Sequence, residues 1–208
     1  KILFVGTNNH IKKADRALLV FQRLAKEELD KPIIMFMHTR PQSEYCDLLG
    51  MIEAFGLKDK VAFTHLWNEN KEYEKLPYYY QSMSPKYTST PHYLMPYIYN
   101  LADILVLPTD EEGMSTIFLE AQACGKPIVH LEDPVIQEAC AIEELAVSGI
   151  NGKMNIEEAV EKIKWFLLKK EDEKKKISEE CREFATRFDW NNIAKRVEEI
   201  LNSMIVKR

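Results

Sequence analysis

None of the four cysteines, Cys46, Cys124, Cys140 and Cys181, stands in a CxxC pair or beside a histidine at metal-ligand spacing. That argues against a structural zinc site, so no metal is expected, and free thiols in a reducing compartment are the simplest account. No apolar run approaches the roughly 20 residues that a membrane-spanning helix needs. No charged-then-apolar leader stands at the start either, so a cytoplasmic location is expected. The chain has no GxGxxG and no P-loop pattern, which leaves a nicotinamide cofactor or ATP hydrolysis without support. The formal charge of −5 gives no reason to expect nucleic acid as a partner, although a local basic site for one phosphate group is compatible with it. Internal repeats and low-complexity segments are also missing.

What is present describes a soluble globular protein. Of 208 residues, 46% are apolar and 29% charged, enough to bury a substantial core in one generous domain. Lys1 leads straight into an apolar strand, an opening that suggests a domain taken from a longer protein. Strands are expected at 1–6, 32–39, 60–66, 103–108 and 126–131, with helices at 14–28, 43–55 and 92–102 between them. A further short edge strand is hinted at by 152–154. Helices at 156–169, 173–187 and 190–205 form a helical C-terminal region over 156–208. Asn155 with Glu158, and Asp189, are expected N-caps. Apolar strands alternating with helices predict an α/β, Rossmann-like domain over 1–208, its parallel sheet covered by helices on both faces. The Tyr-, Ser- and Pro-rich stretch 68–91 breaks that rhythm and reads as an irregular excursion.

One stretch concentrates the chemistry. "EEGMSTIFLEAQACGKPIV" (111–129) places Glu112 in a loop and Glu120 in the following helix, with seven residues between them. The loop leaves the carboxyl end of the fourth strand, where open α/β sheets bind ligands. Gly113 lets a ligand approach the backbone, and the N–H groups of Met114, Ser115 and Thr116 are the free donors of the helix's first turn, suited to a phosphate. Glu120, one turn on, leans back towards the same mouth. A carboxylate beside a phosphate is repelled unless it accepts hydrogen bonds from hydroxyls. Two such acids flanking an anion site fit a nucleotide sugar, with Glu112 on the sugar and Glu120 on the ribose. The first strand–helix loop, "GTNNHIKKAD" (6–15), supplies Lys12 and Lys13 as cations for the diphosphate.

These residues carry a resemblance. Residues 111–129 resemble the EX7E signature of the family 4 retaining glycosyltransferases, the large group 1 set, in its EGM-S-x-x-x-LEA-x-A-x-G-x-P-V form. Gly6 with Lys12 is similar to that family's "VGR…K" donor loop, "YIYNLADILVLP" (97–108) to its "lYn-ADv-v-P" segment, and "FDW" (188–190) to its late "fsW". The similarity implies the C-terminal, donor-binding half of a two-domain GT-B enzyme, working without metal or cofactor and with retention of anomeric configuration. It gives Glu112 the place of the catalytic acid facing the donor sugar and Glu120 that of the ribose acid. Gly113, Met114, Ser115 and Thr116 take the backbone contacts to sugar and phosphate, while Gly6, Thr7 and Lys12 form the donor loop, with Lys13 as fallback for a one-residue shift. Two departures stand out. Thr7 replaces the family's usual arginine, removing one cation from the phosphate site, and the stretch 68–91 is longer than the usual connection.

The expected function is therefore transfer of a sugar from a nucleoside diphosphate to an acceptor hydroxyl. The acceptor half would lie in an N-terminal domain not contained in 1–208, to which any peripheral membrane contact would belong, and the fragment alone should not turn over. Two alternatives are a non-catalytic nucleotide-sugar-binding module and a sugar-nucleotide epimerase on the same scaffold. Plainer roles exist for single residues. Glu112 alone would pass for a solvated loop acid, Glu120 for a helix-dipole acid, and Lys12 and Lys13 for surface lysines. His10 reads as a loop residue, His38, His65 and His130 as core or edge histidines, and Cys124 as a small packed residue. Tyr78, Tyr79 and Tyr80 fit stacking on a sugar or base as well as local packing.

Overall fold

The computed structural model describes residues 1–64 and 90–205. His65, the three tyrosines at 78–80 and almost all of the expected excursion at 68–91 lie outside the described residues. Among the described residues six parallel strands form the sheet: β1 (Ile2–Val5), β2 (Met35–His38), β3 (Val61–Phe63), β4 (Ile104–Leu107), β5 (Ile128–Leu131) and β6 (Ala146–Val147). Their spatial order is β3-β2-β1-β4-β5-β6, with Ile2 and Leu3 registered against Ile104 and Leu105. Direction of winding reverses between β1 and β4, so their two following loops diverge at the centre of the sheet. Every residue of β1, β4 and β5 is buried, as strands covered on both faces require. Nearer the edge, β2 alternates buried and half-buried positions.

Eight α-helices accompany these strands among the described residues: α1 (Ala14–Leu24), α2 (Leu48–Ala54), α3 (Met95–Asn100), α4 (Thr116–Ala123), α5 (Pro134–Gln137), α6 (Ile156–Leu167), α7 (Glu171–Thr186) and α8 (Trp190–Ile205). Two groups flank the sheet. Helix α1 packs on α2 and α6, and α4 packs on α3 and α7. Fully buried side chains such as Phe4, Leu18, Phe21, Leu105 and Phe118 fill the layers between helices and strands, each worth about 1.5–3 kcal/mol of burial. The Rossmann-like architecture expected from the strand–helix alternation is present.

The sequence reading needs correction after β5. The sheet's edge strand is the two-residue β6, not 152–154. That segment instead contributes β8 (Lys153–Met154) to a separate antiparallel hairpin with β7 (Gly149–Ile150). Two-residue strands are too short to show a period, which is why the hydrophobic pattern missed them. The expected helix 92–102 splits into a 3-10 turn (His92–Leu94) and α3, with Pro96 in the first turn of α3. Asn155 caps α6 by accepting from the N–H groups of Glu157 and Glu158 at 3.2 and 3.3 Å. Its expected partner Glu158 turns instead to Ser148, whose N–H it accepts at 3.1 Å and whose hydroxyl it also binds. Asp189 accepts from the Asn191 N–H at 2.9 Å at the head of α8.

Two devices hold the central loops in place. Helix α4 ends in a Schellman turn: Lys126 N–H donates to the Ala121 carbonyl at 3.0 Å and Gly125 N–H to that of Gln122 at 2.7 Å. Gly125 has φ +71°, and a Cβ there would lie 2.3 Å from Ser178 Oγ and 2.6 Å from Arg182 Cζ of α7. At the other end, the buried Arg16 of α1 donates through Nη1 to the Pro108 carbonyl at 3.2 Å and to the Asp110 carboxylate, tying α1 to the loop after β4. Lys13 Nζ lies 3.2 Å from the other Asp110 oxygen. Burial alone would push the Asp110 pKa up, but hydrogen bonds from Arg16 and Lys13, and their charges, outweigh it and hold the carboxyl below its ordinary value.

Two outcomes follow for stability. Gly125→Ala should lose about 2 kcal/mol, roughly 4–8 °C in Tm, from the left-handed backbone and the crowding against α7; an unchanged melting curve would refute the packing described. Asp110 has a depressed folded-state pKa, so its contribution is complete above the unfolded carboxyl value and disappears as pH falls through the folded one. Thermal melts from pH 7 to pH 3 should therefore show a smaller acid-induced drop for Asp110→Asn than for the wild type, once both are normalised at pH 7.

Candidate functional site

The loops after β1 and β4 meet at one backbone oxygen. The Ile11 carbonyl accepts from Thr109 Oγ1 at 3.1 Å and from the Asp110 N–H at 3.2 Å. Upstream, Asn9 Oδ1 accepts from the N–H groups of Ile11 and Lys12 at 3.1 and 2.9 Å, folding the loop into a tight turn. Gly6 starts that turn with φ +157°, and a Cβ there would come within 3.3 Å of the Phe4 ring and 3.4 Å of Lys12 Cβ. A side chain at position 6 would therefore push against the lysine. Thr7 is exposed beside it, its carbonyl accepting from the Asn9 N–H at 2.9 Å.

The two lysines part company here. Lys12 Nζ donates to Glu112 Oε1, forming an ion pair in which the side chains are only 23% and 10% exposed. Lys13, held in the left-handed conformation (φ 53°, ψ 51°) at the head of α1, turns away to Asp110 and lies 5.5 Å from the centroid of the Tyr45 ring. Lys12 is thus the lysine that shares a mouth with Glu112. Together with Thr109 and Ser115, these two residues line a cavity of only about 10 Å³, room for roughly one water. The ion pair itself narrows the opening.

Helix α4 begins at that opening. Ser115, the residue before its first turn, has extended dihedrals (φ −75°, ψ 119°), and its side chain accepts no cap hydrogen bond, which leaves the first-turn N–H groups without a side-chain cap. Gly113 is exposed, with no atom within 4 Å of where a Cβ would stand, and Met114 and Thr116 are exposed beside it. One turn into the helix, the Glu120 carboxylate is bound at both oxygens. The Tyr99 hydroxyl of α3 donates to Oε2 at 2.7 Å, and His92 Nε2 lies 3.2 Å from Oε1. Tyr99 is 1% exposed. Burial, reinforced by the bond to Glu120, pushes its phenol pKa far upward, so it stays a proton donor.

The structure thus brings Gly6, Lys12, Glu112, Gly113, Ser115 and the head of α4 to one mouth, with Glu120 a turn further along the same helix. Lys13 is directed elsewhere. Asn9, Tyr99, His92 and the Arg16–Asp110 pair were not singled out by the sequence. An Asn three residues before a lysine in a loop was a legible turn signal for the first of these. The remaining described histidines and Cys124 are accounted for locally. His38 Nδ1 lies 2.6 Å from Thr64 Oγ1, and His10 is exposed in its loop. His130 is fully buried, with Nδ1 2.9 Å from the Leu131 carbonyl oxygen and its ring edge-on to Phe118; burial lowers its pKa. Cys124 is half-buried at the end of α4, where burial raises its thiol pKa. Among the described residues no group of three or more His, Cys, Asp or Glu could hold a metal ion, and no helix is long and apolar enough to cross a membrane.

Residues 87–188 match the model for "Glycosyl transferases group 1". The D-inositol 3-phosphate glycosyltransferase of Corynebacterium urealyticum is 30% identical over 107 residues, a match covering 51% of this chain and 24% of that protein. Among solved structures, Anabaena HepE in complex with UDP superposes with a TM-score of 0.70 at 15% identity, over 97% of this chain and 48% of that one. The C-terminal domain of the group 1 family protein LpcC of Francisella tularensis gives 0.62 at 14% identity, over 89% and 83%. The chain therefore spans about a quarter of the curated relative and about half of HepE, but most of the isolated LpcC domain. Residues 87–188 thus belong with the group 1 glycosyltransferases, and the chain has the fold of a C-terminal domain of such a protein.

Proposed function

We propose that this domain binds the nucleoside-diphosphate sugar donor of a retaining, metal-independent transferase that passes the sugar to an acceptor hydroxyl. The observation that carries the reading is the Lys12–Glu112 pair at the uncapped head of α4, with Glu120 one turn further on. Diphosphate, sugar and ribose each find a matching group there. The diphosphate sits against the N–H groups of Met114, Ser115 and Thr116 and takes Lys12 as its cation. Glu112, freed from Lys12, accepts hydrogen bonds from sugar hydroxyls, and Glu120 accepts those of the ribose. As the bond between sugar and diphosphate breaks, negative charge grows on the phosphate oxygens. Lys12 and the helix head are already aimed at it, so leaving-group stabilisation is electrostatic and needs neither a protein nucleophile nor a metal. That HepE is described in complex with UDP supports a uridine nucleotide as the first ligand to test.

The second substrate belongs to an acceptor domain of the same protein. Helix α8 supports this partner: it carries exposed Trp190, Val197, Ile200, Leu201 and Met204, an apolar stripe that a neighbouring domain would cover. Four free cysteines fit a cytoplasmic, reducing location.

Titration with UDP and GDP tests the reading directly. The 208-residue chain should bind a nucleoside diphosphate weakly, and Lys12→Ala should weaken it further by about tenfold through loss of a charge-assisted contact. Addition of EDTA should change nothing; strict dependence on a divalent metal would overturn the site. Glu112→Gln separates binding from transfer. In the full-length protein it should cut transfer at least about a hundredfold. In the same variant, diphosphate affinity should rise about two- to fivefold, because Lys12 no longer has to leave an ion pair. Unchanged transfer by this variant would remove Glu112 from the sugar site.

A further inference from the structure

We infer that Tyr99 is a positioning residue for the ribose site: its buried hydroxyl fixes Glu120 in the orientation from which the carboxylate receives the nucleotide's ribose hydroxyls. The inference rests on the ribose reading of Glu120 given above. Its own observation is the 2.7 Å bond from Tyr99 Oη to Glu120 Oε2, from a ring that is 1% exposed in the contact between α3 and α4.

A glutamate on a helix has three rotatable side-chain bonds, and holding it still on binding costs affinity. Glu120 spans the divide between core and solvent: its side chain is 26% exposed, with Oε2 held by the core and Oε1 towards exposed His92. Tyr99 cannot follow it outward, because the ring is packed beneath. The phenol offers one proton, and the only described acceptor of that proton is Glu120. A carboxylate has about four acceptor sites on its two oxygens, so one bond to Tyr99 and one contact to His92 leave capacity for a vicinal diol. The restraint therefore costs the ligand no acceptor that it needs. It places the ordering of Glu120 in the folding of the domain instead of in the binding step. A purely structural role would be met by any buried acceptor, such as a free carbonyl. Here the acceptor is the carboxylate that faces the ligand.

Tyr99→Phe deletes one oxygen and leaves the ring to fill its place. In the 208-residue chain, affinity for UDP and for GDP should fall about five- to tenfold. Selectivity for each over its 2′-deoxy counterpart should fall at least about threefold. Inorganic pyrophosphate, which reaches Lys12 and the head of α4 but not Glu120, should bind the variant as it binds the wild type. In a Glu120→Ala background the Tyr99→Phe change should have no further effect on UDP or GDP. If Tyr99→Phe lowers pyrophosphate and nucleotide binding equally, the effect is general damage and the positioning role is overturned. If selectivity survives Tyr99→Phe but collapses in Glu120→Ala, the positioning role is overturned while the ribose reading stands. If Glu120→Ala itself leaves ribo- and deoxyribonucleotides as unequal as before, the ribose reading falls and takes this inference with it.

Discussion

The site depends on two loops from distant parts of the chain being held together at the Ile11 carbonyl oxygen. Parallel pairing of β1 with β4 brings them side by side, but pairing alone would let them splay, since the chain winds away from this point in both directions. Thr109 and Asp110 close the gap by donating to that one oxygen, and Arg16 clamps the same loop from beneath through Pro108 and Asp110. Only with this closure does Lys12 reach Glu112, a hundred positions later in the chain. The brace uses a nearly buried guanidinium, whose planar fork suits a carboxylate and a carbonyl at once. Its partner cannot be lost without leaving a buried cation unpaired, so the clamp ties α1 to the loop after β4.

Most of the fold was legible because its inner strands are buried on both faces and so appear as short apolar runs between glycines, prolines and helices. Ile2–Val5, Ile104–Leu107 and Ile128–Leu131 are such runs, and α8 begins where its periodicity does. Elements without a period were not legible. Ala146–Val147 joins the sheet through two residues, and its neighbouring hairpin is equally short. Helix α7 starts two residues before its expected position because Glu173 reaches back to accept the Lys170 N–H at 3.1 Å, a local bond that outweighs the weak start signal.

The residues that could face a ligand were legible for a different reason. Gly113, two acids and a hydroxyl-rich helix start have a local spacing, and spacing survives in a one-dimensional string. Their supports do not. Tyr99 lies in a run of aromatic and apolar residues whose natural reading is core packing, and core packing is indeed where its ring goes. Only the third dimension shows that the hydroxyl emerges on Glu120. The choice between Lys12 and Lys13 was open for a similar reason. It turns on the left-handed backbone of Lys13, which no composition argument assigns to a lysine, and which swings that side chain to Asp110.

The pairing of Lys12 with Glu112 also has a physical consequence for how a charged ligand enters. Both groups are largely withdrawn from water, and an unpaired charge at either position would carry a desolvation cost. Within the pair each satisfies the other. On the donor-binding proposal above, a diphosphate would offer Lys12 a stronger anion and, in the same act, hand Glu112 the hydroxyls of the attached sugar. A diphosphate arriving without a sugar would instead leave Glu112 bare beside new negative charge. On that proposal the exchange would favour the intact donor over its by-product, even though both would bring the same phosphates to the same lysine. Discrimination of this kind comes from what the displaced carboxylate receives, not from any additional contact to the phosphate.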